Sequence, residues 1–231
     1  HGDCPICCLP LSIDKEKSCM TSCCSKVVCE GCDHVNKIRE IEGKLKFKCP
    51  FCRTPITSND EADKQRTNRI KMNDPVAICQ EGVDHFEKGD ANKAFEYFTK
   101  ASGLGDVEAH YLLSLLYHNG HGVEKDRGKE RHHLEEAAIG GHPAARYNLG
   151  CHEWKTNDND ERAVKHWIIA ANQGQDESIK NVMEYFKEGF VSKDDLAATL
   201  RAHQAAVDAT KSPQREAAEE YYRNRNVGVH T

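Results

Sequence analysis

Cysteines 4 and 7, 29 and 32, and 49 and 52 form three Cys-x2-Cys pairs, and Cys23 and Cys24 stand side by side between the first pair and the second. Two thiolates separated by two residues can turn their sulfurs towards one point, and thiolate is a strong ligand for tetrahedral zinc. Four pairs offer eight sulfurs, enough to saturate two ions. A catalytic zinc keeps a position open for water, so saturated sites point to structural metal. Ten of the 12 cysteines fall within the first 52 residues, and only Cys79 and Cys151 lie beyond. A disulfide framework would place cysteines wherever loops need stapling. This clustering predicts instead one small metal-dependent unit joined to an ordinary domain. Residues 1–56 are too few for a self-sufficient apolar core, and structural zinc supplies folding free energy directly.

Other chemistry-bearing residues point to packing or solvated surface. Cys79 and Cys151 fall on helical patterns where related segments carry Tyr111 and Leu115, so both are expected in the interior. Cys8, beside Cys7, is expected to pack as a small apolar side chain. His132 and His133 are consecutive, and consecutive helical residues do not face one another, so no further metal is assigned to the 13 histidines. Glu135 with Glu136 and Asp194 with Asp195 read as solvated helix faces. The chain contains no P-loop, dinucleotide fingerprint or nucleophile elbow, and no catalytic residue is assigned.

Composition narrows the partner classes. Residues 1–56 carry nine Lys and Arg against seven Asp and Glu, and residues 57–231 carry 23 against 30, so neither part has the dense basic stripe that phosphate binding leaves. Nucleic acid is not an expected partner. A mean hydropathy of -0.73 and the lack of an apolar run near the roughly 20 residues of a membrane helix argue against a membrane-spanning segment. Reduced, metal-bound cysteines predict a cytoplasmic or nuclear setting. The sequence begins at His1 rather than Met, which leaves room for a preceding leader.

The elements that must position these residues are helical over most of the length. Residues 57–72 are polar and charged. Ser58 with Glu61 has capping-box spacing, so a partly helical linker is expected there. Asp74-Pro75 is a helix start. From there the chain compares well with itself. Asn73, Gly105, Gly141 and Gly174 are spaced by 32, 36 and 33 residues, and four positions after each stands Ala77, Ala109, Ala145 or Ser178. Ala101-Ser102, Ala137-Ala138 and Ala170-Ala171 precede the later anchors, and Phe86, Tyr117, Trp154 and Phe186 recur as bulky residues. Each unit reads as two antiparallel helices meeting at small residues, and such pairs must stack to bury their apolar faces. A helix over 193–210 and another over 213–223 are expected to cap the stack, with fraying from Asn224.

Two family resemblances follow. The Gly120-x-Gly122-Val123 loop, Asp126, the Ala137-Ala138 pair and Leu149-Gly150 resemble the Sel1-like repeat, a relative of the tetratricopeptide repeat, over about residues 73–211. The resemblance implies about four repeats and a concave surface for a protein partner. The knuckles CPIC (4–7) and CPFC (49–52), the latter followed by Arg53-Thr54-Pro55, resemble a RING domain. That resemblance implies a first site of Cys4, Cys7, Cys29 and Cys32. It implies a second of Cys23, Cys24, Cys49 and Cys52. The pattern departs where His is usual, at Lys26, and an ammonium cannot ligate zinc; Cys19 is an alternative to Cys23, and His34 a third candidate.

RING domains bind a ubiquitin-conjugating enzyme, and the resemblance puts that contact on Ile6, Pro50 and Arg53. Asn36 stands where the family often has Trp. The domain pairing resembles the RING–Sel1 proteins of diatoms and related algae. The expected fold is mainly α: a two-zinc RING domain (1–56), the linker (57–72), the Sel1-like solenoid (73–211), then a C-terminal helix and tail (212–231). The expected function is ubiquitin transfer without a nucleophile of the protein's own. The alternative is a zinc-stabilised interaction adaptor or scaffold without transfer activity.

Overall fold

A computed structural model describes residues 2–56, 58–157 and 159–227, apart from the side chains of 156, 157 and 225–227. Its strands are β1 (Ser18–Met20) and β2 (Val27–Cys29). Its helices are α1 (Glu30–Glu42), α2 (Asn59–Lys71), α3 (Pro75–Glu87), α4 (Ala91–Gly103), α5 (Val107–Asn119), α6 (Arg127–Ile139), α7 (Pro143–Asn157), α8 (Asp160–Asn172), α9 (Asp176–Lys187), α10 (Lys193–Ala209) and α11 (Pro213–Val227). Two units divide the chain. One joins residues 1–72 to 207–231, and the other is residues 73–206. None of the described helices is long and apolar enough to cross a membrane.

In the first unit one turn design occurs three times. Cys4 N–H donates to Leu9 O at 2.9 Å, Thr21 N–H to Lys26 O at 3.0 Å and Cys49 N–H to Thr54 O at 2.8 Å. Within each turn, Cys8, Ser25 and Arg53 donate back to Cys4, Thr21 and Cys49, and all three donors lie in the left-handed region at φ 57°, 52° and 63°. β1 and β2 flank the middle turn as an antiparallel pair, with Ser18 opposite Cys29 and Met20 opposite Val27. β2 runs directly into α1, whose N-cap is Cys29. The buried centre is Cys4, Val28, Cys29 and Cys32, with Leu11 and Cys19 packed against it. α2 is capped by Ser58 and buries none of its residues, as its lack of apolar side chains dictates.

The helix α11 departs from expectation. Its place is against α1 in the cysteine-rich unit, where Ala218 is fully buried and His34 meets Tyr221 and Tyr222. It also continues past Asn224 to Val227; the expected frayed tail beyond that lies outside the described residues.

In the second unit α3 packs on α4, α5 on α6 and α7 on α8, and each pair packs on the next through α4 with α5, α6 with α7 and α8 with α9. The anchors explain the period. Asn73, Gly105, Gly141 and Gly174 adopt φ of 56°, 87°, 84° and 92°, a left-handed conformation that favours Gly and tolerates Asn, and each turns the chain into the next helix. The small residues that follow, Ala77, Ala109, Ala145 and Ser178, are buried, as are Ala101, Ala137 and Ala170. Small residues at these crossings let the helix backbones approach closely.

A second interlock lies inside each pair. A Cβ on Gly82 would stand 2.6 Å from the Phe98 ring, and one on Gly150 would stand 2.5 Å from the Trp167 indole. The middle pair has Ser114 and Leu134 at these positions, both buried, so a smaller partner accompanies a larger gap-filler. Of the recurring bulky residues only Tyr117 is buried; Phe86, Trp154 and Phe186 are exposed. Cys79 is buried and Cys151 packs against the Trp167 cluster. α10 joins that cluster through Leu196, and His203 pairs with Asp176 at 3.0 Å.

Candidate metal centres

The three turns and the start of α1 converge their cysteines into two groups. Cys4, Cys7, Cys29 and Cys32 form one, and Cys23, Cys24, Cys49 and Cys52 the other, with all four sulfurs of each group within 4.8 Å of one another. The order is interleaved: the first and third pairs share one group, the second and fourth the other. A tetrahedral zinc with Zn–S near 2.3 Å needs sulfurs about 3.8 Å apart. Cys7 and Cys29 sulfurs stand 3.8 Å apart, Cys24 and Cys49 4.0 Å, and Cys23 and Cys52 3.3 Å. Every described cysteine is free of disulfide bonds. The residues therefore fit two tetrahedral four-sulfur metal sites.

Local electrostatics prepare some of these sulfurs as thiolates. Burial works to raise the Cys4 pKa, but the Cys29, Cys7 and Ile6 amides aimed at its sulfur bring it down to about 7. The Cys29 N–H lies 3.4 Å from that sulfur. Cys52 is lowered to about 6, where Thr54 contacts outweigh burial. Burial, then proton sharing with neighbouring sulfurs, pushes Cys23 and Cys32 upwards. Four thiols packed together cannot all ionise without a cation among them.

The second pair is irregular for a reason visible in the backbone. The middle turn has the same hydrogen bonds as the other two, but Thr21 occupies the position of Cys4 and Cys49. Thr21 Oγ1 lies 3.0 Å from Cys24 Sγ, and Cys23 supplies the remaining sulfur. Cys19 lies elsewhere, on β1 opposite Val28 and against the first group; burial and the Asp33 charge push its thiol up to about 12. His34 faces α11, and Lys26 stands over the Phe51 ring at 6.0 Å. Cys8 does not pack inside, contrary to expectation. The left-handed turn that closes the first knuckle leaves it exposed.

The residues expected to contact a conjugating enzyme sit on the first and third turns. Ile6 is 40 % exposed, Pro50 is half-buried, and the Arg53 side chain is 46 % exposed. Asn36 is not part of a surface. It is 9 % exposed and works as a bracket: its Oδ1 accepts from Arg53 Nη1 at 2.8 Å and from Arg39 Nη2 at 3.1 Å, while its Nδ2 donates to Lys48 O at 3.1 Å. Buried Glu40 completes the bracket, with Oε2 accepting from Lys48 N–H at 3.2 Å and Oε1 at 3.6 Å from Arg53. Spacing alone does not reveal this role, because it depends on α1 lying against the third turn.

The solenoid histidines form structural contacts. His110 and His133 meet at 3.1 Å, and His133 stacks on Tyr117. His142 caps α7 by accepting from Ala145 N–H, and His118 pairs with Glu130 at 2.8 Å. Among the described residues, the two cysteine groups are the sets of three or more potential ligands that converge.

Comparison with known proteins identifies the repeats. The Sel1 repeat family model matches residues 77–106, 107–142 and 143–175, so this part of the chain consists of three Sel1 repeats built from α3 to α8. A curated relative is the mouse (Mus musculus) DAP3-binding cell death enhancer 1, 25 % identical over 174 residues and covering 58 % of this chain and 34 % of that protein. The chain thus spans about a third of that relative's length. Similar solved structures include a Sel1 repeat protein from Oxalobacter formigenes, with 23 % identity, 55 % of this chain and 99 % of that chain covered, and a TM-score of 0.48. Another is c5321, a protective antigen of uropathogenic Escherichia coli strains with an SLR fold, with 19 % identity, 83 % and 41 % of the two chains covered, and a TM-score of 0.48.

Proposed function

We propose that the cysteine-rich unit is a RING-type module holding two structural zinc ions, and that it recruits a ubiquitin-conjugating enzyme while the Sel1 repeats hold a protein partner or substrate. The observation that carries the reading is the interleaved pair of four-sulfur groups, with Ile6, Pro50 and Arg53 on the two outer turns. Bound zinc would supply cross-links that fix the turns relative to α1. Ile6 offers an apolar contact and Pro50 shapes the neighbouring turn. Arg53, steered by Asn36 and Glu40, presents a half-exposed guanidinium that can hold a carbonyl or carboxylate of ubiquitin. The contribution to transfer is positioning of the conjugating enzyme's thioester, with no bond formed to this chain.

A second reading, an interaction adaptor without transfer activity, is favoured by Asn36: the residue at the usual Trp position is buried and offers no apolar contact. Autoubiquitination with a panel of conjugating enzymes separates the two. Chains that weaken in Ile6→Ala and Arg53→Ala support the ligase. No chains with any enzyme, from protein holding two equivalents of zinc, would leave the adaptor.

A further inference from the structure

We infer that α11 is a clamp in cis on the first four-sulfur site, with Arg215 as its positioning residue, so that metal held there and docking of α11 stabilise each other. The inference rests on that site holding zinc.

Arg215 reaches across the unit. Its Nη2 donates to Cys7 Sγ at 3.6 Å and to Leu9 O at 3.2 Å, and its Nη1 donates to Pro10 O and to Thr210 O, both at 2.6 Å. One guanidinium thus ties the turn before α11 to a ligand sulfur and to the loop leaving it. Its charge acts on Cys29 as well. Four thiolates around a divalent ion leave a net charge of about -2, and a cation hydrogen-bonded to a ligand sulfur offsets part of it.

The backbone fits this placement. Gly31 stands between ligands Cys29 and Cys32, and a Cβ there would lie 2.8 Å from Arg215 N and 2.9 Å from its Cα. The first turn of α11 therefore rests on the segment that carries two of the four ligands. Further along, Tyr221 lies 4.7 Å from the His34 ring, and Glu219 pairs with Lys17 at 3.3 Å. With α11 docked, Ile6 and Arg53 stay exposed, so the clamp leaves their surface open.

The test is zinc release from the full chain to a chromophoric chelator, with elemental analysis of the starting protein. Wild type should start with two equivalents and release them in two phases. Arg215→Ala should accelerate one phase by about 10- to 100-fold, the usual effect of losing a group that supports a metal ligand, and leave the other unchanged. Arg215→Lys should recover part of the loss through charge alone. Gly31→Val, which displaces α11 and leaves the guanidinium intact, should accelerate the same phase. Amide hydrogen exchange of the wild type supplies a readout independent of variant folding: stripping the metal should deprotect α11 together with α1. Wild-type release rates in both Arg215→Ala and Gly31→Val, or α11 protection unchanged on stripping, would overturn the clamp. Zinc-free protein at the outset would overturn the metal reading itself.

Discussion

Gly150→Ala sets two effects of known sign against each other. In a helix interior the change should stabilise by about 1 kcal/mol, because glycine loses more backbone entropy on folding. Here the new methyl would stand 2.5 Å from Trp167 Nε1, 2.7 Å from Cδ1 and 3.0 Å from Cε2. Ordinary contact begins near 3.5 Å, so the indole must retreat by about 1 Å. It has little room: Trp167 is 2 % exposed, lies 5.2 Å from the Tyr185 ring, and is packed with Val164 and Val182. Overpacking of this kind costs about 1–3 kcal/mol, and a rigid ring belongs near the upper end. The net expectation is destabilisation by about 2 kcal/mol, a fall in Tm of roughly 4–8 °C.

Chemical denaturation followed by far-UV circular dichroism reads the effect. The middle repeat suggests the rescue, since it pairs the larger Ser114 with the smaller Leu134. Trp167→Leu should itself destabilise, but adding Gly150→Ala to it should then cost little. The two changes should couple favourably by about 1–3 kcal/mol. A Gly150→Ala protein as stable as the wild type, or more stable, would mean that helix propensity wins and the interlock is wrong.

Three other outcomes follow from the sites. Cys23→Ser should lower zinc content from two equivalents towards one, whereas Cys19→Ser should leave two, as elemental analysis would register. Asn36→Ala should destabilise the cysteine-rich unit by about 1–3 kcal/mol, since it strands the Lys48 carbonyl and the Arg53 guanidinium. If the unit is a ligase, it should also slow chain formation as Arg53→Ala does. His133 is held down at about 4 by burial, then by His110, His132 and Lys129. With its folded pKa below the ordinary 6.5 or so, the unfolded chain takes the proton first, so stability is fully present above about pH 6.5 and falls as the pH drops towards 4. A His133→Leu protein should show a shallower fall of Tm across that window. Equal slopes would remove His133 from the account.

The repeats were legible because their signals are local and recur. The spacing of the anchors and the small residue four positions after each can be read without any distant contact, and the structure buries all four of those small residues. The three regular cysteine pairs were legible for the same reason. The adjacent pair was ambiguous because Thr21 fills a knuckle position that Cys fills in the other two turns. Its backbone register, not its residue types, selects Cys23 over Cys19. The roles of Asn36 and α11 were not legible. Asn36 acts on residues 48 and 53, which reach it only when α1 lies on the third turn. Arg215 reaches Cys7 across 208 positions, and the faint signal was Gly31, a glycine between two ligands with no turn to make. Cys8 was misread as interior because its exposure follows from a left-handed φ that its residue type does not announce.

The discontinuity of the cysteine-rich unit has a consequence for synthesis. All eight sulfurs have been translated once Cys52 has been added, but Arg215 follows 163 positions later. At ordinary translation rates of about 5–20 residues per second, roughly 8–33 s pass between them. Residues 73–206, the whole second unit, are made in that interval and can fold before α11 exists. The cysteine-rich unit therefore starts before the repeats and is completed after them, and a chain broken anywhere in the repeats carries the two cysteine groups without α11. If the first group holds zinc, as proposed, release from such a chain should be faster than from a chain that includes α11.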